Sequence, residues 1–216
     1  MLGLFDSGEG GLNTVKYLHK HGINDGLVYL IDRANAPYGI KTEKELVLTV
    51  NKNIRHLASI GATRILIACV TASTVYDLLK EDCKRLAIPI IKPVADAAGK
   101  ASENKKISVI ATNRTVNTHA FKKAITVAEV FELATQELVT MIDSGICDNN
   151  ADANVTRRIK DLVSPLFEAE ADTLILGCTH FPALKGVIGE IFAPYGVKNI
   201  IDTAEIGAKT LINHHG

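Results

Sequence analysis

Two stretches of the chain decide its fold: Arg64-Ile-Leu-Ile-Ala-Cys-Val-Thr-Ala-Ser73 and Asp172-Thr-Leu-Ile-Leu-Gly-Cys-Thr-His-Phe181. Each reads as a short apolar β-strand that ends on a cysteine, followed by a threonine and the start of a helix. In open α/β sheets, sites form beyond the carboxyl ends of the strands. A helix N-terminus also favours the thiolate form of a nearby cysteine. We therefore expect Cys69 and Cys178 to be two acid/base groups that face one substrate.

Composition narrows the classes of partner. The chain has 216 residues, of which 47% are hydrophobic, enough for one large or two small α/β domains. Lys plus Arg and Asp plus Glu are both 24, so nothing suggests nucleic acid or an anionic membrane surface as a partner. Tryptophan is absent and aromatic residues make up only 5%, which argues against base stacking. A small-molecule substrate is the expected partner.

The sequence also bears on compartment and cofactors. The opening Met1-Leu-Gly-Leu-Phe-Asp6 lacks the features of a signal peptide, and no apolar stretch is long enough to span a membrane. We expect a cytoplasmic protein with reduced thiols. No Walker A motif, in-register GxGxxG or zinc-ligand spacing is present, so neither a metal nor an organic cofactor is predicted. The cysteines contain no CxxC pair: Cys69, Cys83, Cys147 and Cys178.

Short apolar strands alternate with amphipathic helices along the whole chain, which predicts βαβ units and mostly parallel sheets. The helix patterns span residues 43–60, 72–86 and 154–167, and Gly61 stands where a C-terminal helix cap belongs. The strand patterns cover residues 2–5, 27–32, 64–68, 89–92, 106–111, 127–134, 173–176 and 199–201.

A polar stretch at residues 99–106 separates two halves, each with one cysteine strand. The likeness of Ile-Leu-Ile-Ala-Cys69 to Leu-Ile-Leu-Gly-Cys178 hints at an internal duplication. We predict an α/β fold of two pseudo-symmetric domains, each a mostly parallel sheet flanked by helices, with the active site in the cleft between them. The first domain comprises residues 1–93 plus 202–216, and the second comprises residues 94–201.

Three short segments have two interpretations each. Asp6-Ser-Gly-Glu-Gly-Gly-Leu12 is either a tight strand-to-helix turn or a loop whose Asp6 and Ser7 work on a ligand. Pro37-Tyr-Gly39 is either a turn or a run of backbone N–H groups that binds a carboxylate. His180 is either structural or a group that relays the proton of Cys178. Cys83 falls on an apolar stripe and is expected in the core.

Six motifs together resemble the aspartate/glutamate racemase superfamily, and within it the glutamate racemases most closely. They occur in one order over nearly the whole chain, which makes the resemblance highly specific. The motifs are Phe5-Asp-Ser-Gly-Glu-Gly-Gly-Leu12, Ala36-Pro-Tyr-Gly39 with Lys41, Ala68-Cys-Val-Thr-Ala-Ser73, Ile110-Ala-Thr-Asn-Arg-Thr-Val-Asn-Thr118, Leu176-Gly-Cys-Thr-His-Phe-Pro182 and Ile201-Asp-Thr-Ala-Glu205.

The resemblance implies a cofactor-independent racemase that supplies D-glutamate for peptidoglycan. One cysteine thiolate removes the α-proton and the opposite thiol protonates the other face, with Cys69 and Cys178 as the two bases. Asp6 would assist Cys69, and His180 would assist Cys178. Substrate contacts are implied for Ser7, Thr71 and Thr179 at the α-amino and α-carboxylate groups, for Pro37, Tyr38 and Gly39 at the side-chain carboxylate, and for Thr115.

The chain departs from the family pattern at several positions. Val70 stands where the family has asparagine beside its first cysteine, so a substrate-contacting amide is replaced by an apolar group. Asp143 aligns with a glutamate near the second cysteine, and Lys92 stands where the family tends to have glutamate. These departures keep two alternatives open: a racemase or isomerase of aspartate or another small acid, and a non-catalytic ligand-binding relative. The assembly, including a homodimer, is left open.

Overall fold

Two parallel four-stranded sheets form the framework of the protein. The structure is a computed structural model that describes residues 1–146 and 152–213. The first sheet has the strand order β2-β1-β3-β4 and the second has β6-β5-β7-β8, with every pairing parallel. We call these sheets with their helices the first and second halves. The strands are β1 (Leu2–Asp6), β2 (Leu27–Ile31), β3 (Arg64–Ile67), β4 (Ala87–Pro89), β5 (Lys106–Ala111), β6 (Glu129–Ala134), β7 (Thr173–Gly177) and β8 (Asn199–Asp202).

The α-helices lie between the strands, apart from one that follows the last strand, and the predicted α/β class with two parallel sheets is confirmed. Short 3₁₀ turns begin several of the connections, including Glu9–Gly11 after β1 and Arg33–Asn35 after β2. The α-helices are α1 (Leu12–Lys20), α2 (Glu43–Ser59), α3 (Val70–Ser73), α4 (Glu81–Lys84), α5 (Ile91–Ala101), α6 (Asn113–Asn117), α7 (Ala120–Ala124), α8 (Gln136–Asp143), α9 (Ala153–Val163), α10 (Lys185–Phe192) and α11 (Thr203–Asn213).

Helix α2 shows how local sequence sets an element. Thr42 accepts a hydrogen bond from the backbone N–H of Glu45, and the Glu45 carboxylate accepts one from the Thr42 N–H, which closes a capping box. The apolar stripe of the helix packs into the core of the first half. Gly61 follows the helix with φ +98°, the left-handed conformation that a non-glycine residue adopts at a cost. The predicted cap is confirmed.

Two predicted helices are wrong in extent. Residues 72–86 contain the end of α3, a 3₁₀ turn at Tyr76–Leu78 and α4, because the Thr74 hydroxyl donates to the Thr71 carbonyl and competes with the helical hydrogen bonding. The Ser73 hydroxyl donates to the Ile67 carbonyl and accepts from the Ile90 N–H. The pattern at 154–167 is α9 followed by a 3₁₀ helix at Ser164–Ala169, since Pro165 cannot continue the α-helical hydrogen bonding.

The strand predicted at residues 89–92 is also wrong. The strand ends at Pro89 and α5 begins at Ile91. Ile91, Val94, Ala95 and Ala98 are buried at helical spacing, so the isoleucines belong to a helix face rather than to a strand. Pro93 lies in the first turn, where a proline is tolerated. Helix α5 takes up the start of the predicted polar stretch at 99–106, and β5 takes its last residue.

Strand register makes the two halves equivalent at their carboxyl edges. Phe5 pairs with Ile67 in the first half, and Ile110 pairs with Leu176 in the second. Each cysteine stands two residues beyond its paired position, so Cys69 and Cys178 occupy matching places. By the same register, the position of Asp6 at the end of β1 corresponds to that of Ala111 at the end of β5.

An apolar cluster joins the two halves. It contains Leu4 and Leu66 from the first sheet, Val109 and Ile175 from the second, and Val70 at the start of α3. Helix α11 follows β8 but packs against α1 and α5. The domain boundaries given above stay a prediction, and residues 214–216 lie outside the described residues. Within the described residues, no helix is both long and apolar enough to span a bilayer.

Candidate active site

A cavity of about 700 Å³ opens at the carboxyl edges of both sheets and is lined from both halves. Both cysteine side chains reach it, and both are nearly buried. The edge of a sheet where the strand order reverses is where α/β proteins place ligands. The predicted site residues that line this cavity are Asp6, Ser7, Pro37, Tyr38, Gly39, Cys69, Val70, Thr71, Asp143, Cys178, Thr179 and His180.

Cys69 lies beside a hydroxyl and a carboxylate at the end of β1. Its Sγ is 3.8 Å from the Ser7 Oγ. Burial and the negative charge of Asp6 raise the pKa of the Cys69 thiol well above its usual value, while the Ala72 N–H and the Ser7 hydroxyl act in the opposite direction. The net effect favours the protonated form of Cys69.

Cys178 lies beside an imidazole instead. The Nδ1 of His180 is 3.5 Å from the Cys178 Sγ, and its Nε2 is 3.2 Å from the Asp143 Oδ1. Burial lowers the pKa of His180, but the hydrogen bond to Cys178 and the charges of Cys178, Asp6 and Asp143 outweigh it and raise the pKa to about 9. An imidazolium at this place stabilises a thiolate on Cys178. The structure therefore joins Cys178, His180 and Asp143 by successive polar contacts.

Asp6 has one oxygen committed and one free. Its Oδ1 accepts hydrogen bonds from the Ser7 N–H at 2.7 Å and the Ser7 hydroxyl at 3.3 Å. Its Oδ2 is buried and has no hydrogen-bond partner within the described part of the chain. A buried carboxylate oxygen left unpaired is costly, so this atom is suited to receive a donor such as an ammonium group.

A chain of three threonine hydroxyls crosses between the halves. The Thr71 and Thr112 Oγ1 atoms are 3.0 Å apart, and Thr112 and Thr115 are also 3.0 Å apart. Thr71 and Thr112 line the cavity, whereas Thr115 is fully buried behind Thr112 and does not. Thr115 therefore reaches the cavity only through Thr112, and its contact with a substrate stays a prediction.

Among Pro37, Tyr38 and Gly39, which line the cavity, Tyr38 has its side-chain hydroxyl held in the core. The Tyr38 hydroxyl donates to the Asp32 Oδ2 at 2.7 Å and accepts from the Asn53 amide at 2.8 Å. This network points the phenol into the core, where burial and Asp32 raise its pKa. Its hydroxyl is thus occupied, in keeping with recognition through the main chain.

The loop after β1 closes tightly on the turn after Cys178. A Cβ on Gly10 would lie 2.5 Å from the Thr179 Oγ1, so only glycine allows this approach. The Asn13 amide donates to the Thr179 carbonyl at 3.0 Å. Val70 faces the cavity but also belongs to the apolar cluster between the halves. Cys69 and Cys178 are therefore next to residues whose contacts join the two halves.

Two further cysteines and the search for a metal site complete the description. Cys83 is buried in the core of the first half, as expected. Cys147 lies outside the described residues. No group of three or more metal-binding side chains occurs in residues 1–146 and 152–213.

Sequence reasoning missed several residues that line the cavity. Thr112 follows the end of β5 just as Ser7 follows β1, so the strand-end rule used for the cysteines would have found it. Arg33 and Glu9 follow β2 and β1 and form an ion pair with each other. Gln136 and Asn113 begin helices of the second half, and no local pattern singled them out.

Two α/β halves of equal strand order around one cavity with two thiols define a racemase-type isomerase. The chain belongs to the Asp/Glu/Hydantoin racemase family, whose model matches residues 13–211. The chain is 36% identical over 200 residues to a glutamate racemase of Desulforudis audaxviator, covering 89% of this chain and 71% of that relative. It is 32% identical over 209 residues to a glutamate racemase of Picosynechococcus, covering 94% and 72%.

Solved structures agree with this assignment. A glutamate racemase isoform of Bacillus anthracis superposes with a TM-score of 0.88 at 30% identity, over 100% of this chain and 82% of that one. A glutamate racemase of Francisella tularensis, solved in complex with D-glutamate, superposes with a TM-score of 0.87 at 29% identity, over 99% and 80%.

Proposed function

We propose that this protein interconverts L- and D-glutamate without a cofactor, by proton transfer between the substrate α-carbon and two cysteines. The observation that carries the proposal is the placement of Cys69 and Cys178 at matching strand ends on one cavity. Inversion at carbon needs a base on one face and an acid on the other. The names of the relatives and the structure that holds D-glutamate support glutamate as the substrate.

The protonation states described above suit this reaction. A thiolate on Cys178, paired with the His180 imidazolium, takes the α-proton and becomes a thiol. The thiol of Cys69 gives its proton to the opposite face of the carbanion and becomes a thiolate. No proton or electron is gained or lost overall, and the two sulfurs exchange roles. Reaction in the other direction begins from the exchanged state.

The hard part of the reaction is the weak acidity of the α-proton. Negative charge moves into the substrate carboxylate as the proton leaves, so preorganised donors at that carboxylate supply most of the stabilisation. We assign this work to the hydroxyls of Thr71 and Thr179, and to that of Ser7 when its proton turns from Asp6 to the substrate. The free Oδ2 of Asp6 is suited to the α-ammonium group, and the backbone at Pro37–Gly39 to the side-chain carboxylate.

We also propose a pathway, a compartment and an assembly for this protein. D-Glutamate made here would serve peptidoglycan synthesis, and a cytoplasmic location fits the need for two reduced thiols, since reducing compartments keep cysteines free. A homodimer is the assembly we would test first by light scattering. None of these features is required for the proton chemistry at the cavity.

Val70 favours a second candidate function. This apolar side chain lines the cavity where the family pattern has an amide, so one polar substrate contact is missing. Aspartate or another small acid would then be the preferred substrate, with Asp143 as a further change near Cys178. A relative that binds a ligand without turnover is the third candidate, and the two matched thiols with Asp6 and His180 argue against it.

Proton exchange distinguishes these candidates directly. The protein is incubated in deuterium oxide with each enantiomer of glutamate and aspartate, and the α-proton signal is followed by NMR alongside optical rotation. We expect the α-proton of both glutamate enantiomers to exchange with inversion. Exchange with aspartate alone would move the substrate to the second candidate. Binding of either acid with no exchange would establish the third.

A further inference from the structure

An ion pair lies on the rim of the cavity, where Arg33 binds Glu9. Arg33 begins the 3₁₀ turn after β2, and Glu9 begins the 3₁₀ turn after β1. Both side chains are largely exposed, with 70% and 64% of their surface accessible. Neither residue has a role in the chemistry derived above, although both line the cavity that holds the thiols.

The charge balance of the cavity makes Arg33 unusual. Among the described residues that line it, the acidic side chains are Asp6, Glu9 and Asp143, and the basic ones are only Arg33 and His180. His180 is engaged with Cys178 and Asp143. A dicarboxylic amino acid that enters this cavity therefore meets one permanent cation that is not tied to a thiol, and that cation is Arg33.

The partner of Arg33 is easily exchanged. Exposed ion pairs contribute little to stability because water and salt screen them. A guanidinium binds one carboxylate as well as another, and it does so best in a two-pronged arrangement. A substrate carboxylate can thus replace Glu9 on Arg33 at small cost.

Glu9 is next to a residue that contacts the turn after the second thiol, Cys178. The next residue, Gly10, packs directly on Thr179, which follows Cys178. Pro37 and Gly39, proposed above for the side-chain carboxylate, also line the cavity and belong to the same β2–α2 connection as Arg33. Arg33 therefore lies on the same connection as the groups that are expected to bind the distal end of the substrate.

We propose that Arg33 is a specificity-determining residue that binds the distal carboxylate of the substrate, and that Glu9 holds Arg33 in place until the substrate displaces it. This inference rests on the proposed function, since it assumes an amino acid with two carboxylates. It predicts that the site prefers such acids over their side-chain amides.

The test compares Arg33→Gln and Glu9→Gln with Arg55→Gln as the matched control. Arg55 pairs with Asp82 on the surface of the first half, with 48% and 50% exposed side chains, and lies outside the cavity. The first readout is protection of Cys69 and Cys178 from iodoacetamide by D-glutamate, which needs binding but no turnover. The second is KM and kcat for α-proton exchange of glutamate and glutamine.

We expect Arg33→Gln to raise the D-glutamate concentration for half-protection, and the KM for glutamate, by about tenfold, while kcat changes less. Its preference for glutamate over glutamine should fall by a similar factor. Glu9→Gln should lower the glutamate KM by about threefold because its competitor for Arg33 is weakened. Arg55→Gln should match the wild type in every readout.

The outcomes separate this inference from the proposed function. Wild-type exchange of glutamate with Arg33→Gln indistinguishable from Arg55→Gln would overturn the inference and leave the function standing. Protection without exchange in the wild type, lost in Arg33→Gln, would support the inference and overturn the function. A wild type with neither protection nor exchange by glutamate would count against both.

Discussion

The two thiols occupy equivalent positions but have opposite surroundings. At the end of β1, Asp6 and Ser7 stand beside Cys69, and a carboxylate next to a buried thiol keeps the proton on the sulfur. At the end of β5, the corresponding residues are Ala111 and Thr112, and no carboxylate is present there. Cys178 has His180 instead, with Asp143 behind the imidazole.

This difference shows how a symmetric fold can perform a reaction that needs an acid and a base at once. Two identical thiol sites would both be neutral or both be charged. An acceptor beside one sulfur and a cation beside the other bias the pair towards one thiol and one thiolate. The two cysteines have equivalent backbone positions, but the side chains next to them carry different charges.

The largest expected effect comes from removing either thiol. Cys69→Ala and Cys178→Ala should each lower racemisation by about 10²–10⁴-fold or more, because general acid or base catalysis is lost on one face. Each variant should retain α-proton exchange without inversion for one enantiomer, and the two should retain it for opposite enantiomers. NMR in deuterium oxide measures both quantities.

The matched control for the thiols is Cys83→Ala, a free buried cysteine away from the cavity. It should racemise at the wild-type rate. Full racemisation by either cavity-cysteine variant would show that the second thiol is not the catalytic acid, and the comparison between the two sites would lose its mechanistic meaning.

A smaller effect is expected at His180. With its pKa raised to about 9, the imidazolium persists up to about that pH and is lost above it. His180→Gln removes this cation, so alkylation of Cys178 by iodoacetamide at neutral pH should become slower than in the wild type. Mass spectrometry of each modified cysteine across pH 6–10 gives the profile, with alkylation of Cys69 as the internal reference. Equal alkylation profiles for Cys178 in the variant and the wild type would contradict a role of the His180 imidazolium in the reactivity of Cys178.

Substitution at Val70 tests whether the side chain next to Cys69 limits the turnover of glutamate. If the missing amide limits glutamate turnover, the wild type has low activity and Val70→Asn should raise kcat/KM for glutamate by about tenfold, since a hydrogen bond to a charged group is worth about 1.5–3 kcal/mol. Val70→Thr, which keeps the shape but offers only a hydroxyl, serves as the control. Unchanged or reduced efficiency on both glutamate and aspartate would mean that Val70 acts through packing, as its place in the cluster between the halves allows.

The smallest effect is expected at Thr115, which reaches the cavity only through Thr112. Thr115 is fully buried, and its one side-chain hydrogen bond among the described residues is to Thr112. Donation from Thr115 leaves a proton of Thr112 or Thr71 free to point at a substrate carboxylate. Thr115→Val should raise the glutamate KM by about fivefold, from the loss of roughly 1 kcal/mol, with little change in kcat. Thr115→Ser should restore KM, whereas equal KM values for Val and Ser would show that the hydroxyl does no positioning.

Much of this protein is determined by short stretches of sequence. The apolar patterns of residues 64–68 and 106–111 predict strands, because a strand pattern can be recognised within a few consecutive residues. Strand ends then predict where Cys69, Cys178, Asp6 and Ser7 lie, since parallel strands share one functional edge. The same local logic failed for residues 72–86, where the Thr74 hydroxyl takes the Thr71 carbonyl and interrupts the helix.

Only the tertiary structure decides which polar groups meet across the cavity. Thr71 pairs with Thr112 from the other half, Glu9 with Arg33, and Asp143 with His180, and each contact joins residues distant in the chain. Such pairings depend on how helices and loops pack around two sheets, which local propensity does not encode. Sequence alone therefore determines the two sheets and the two thiols at their edges, while packing decides which charged groups surround each thiol, because charge and burial act through space.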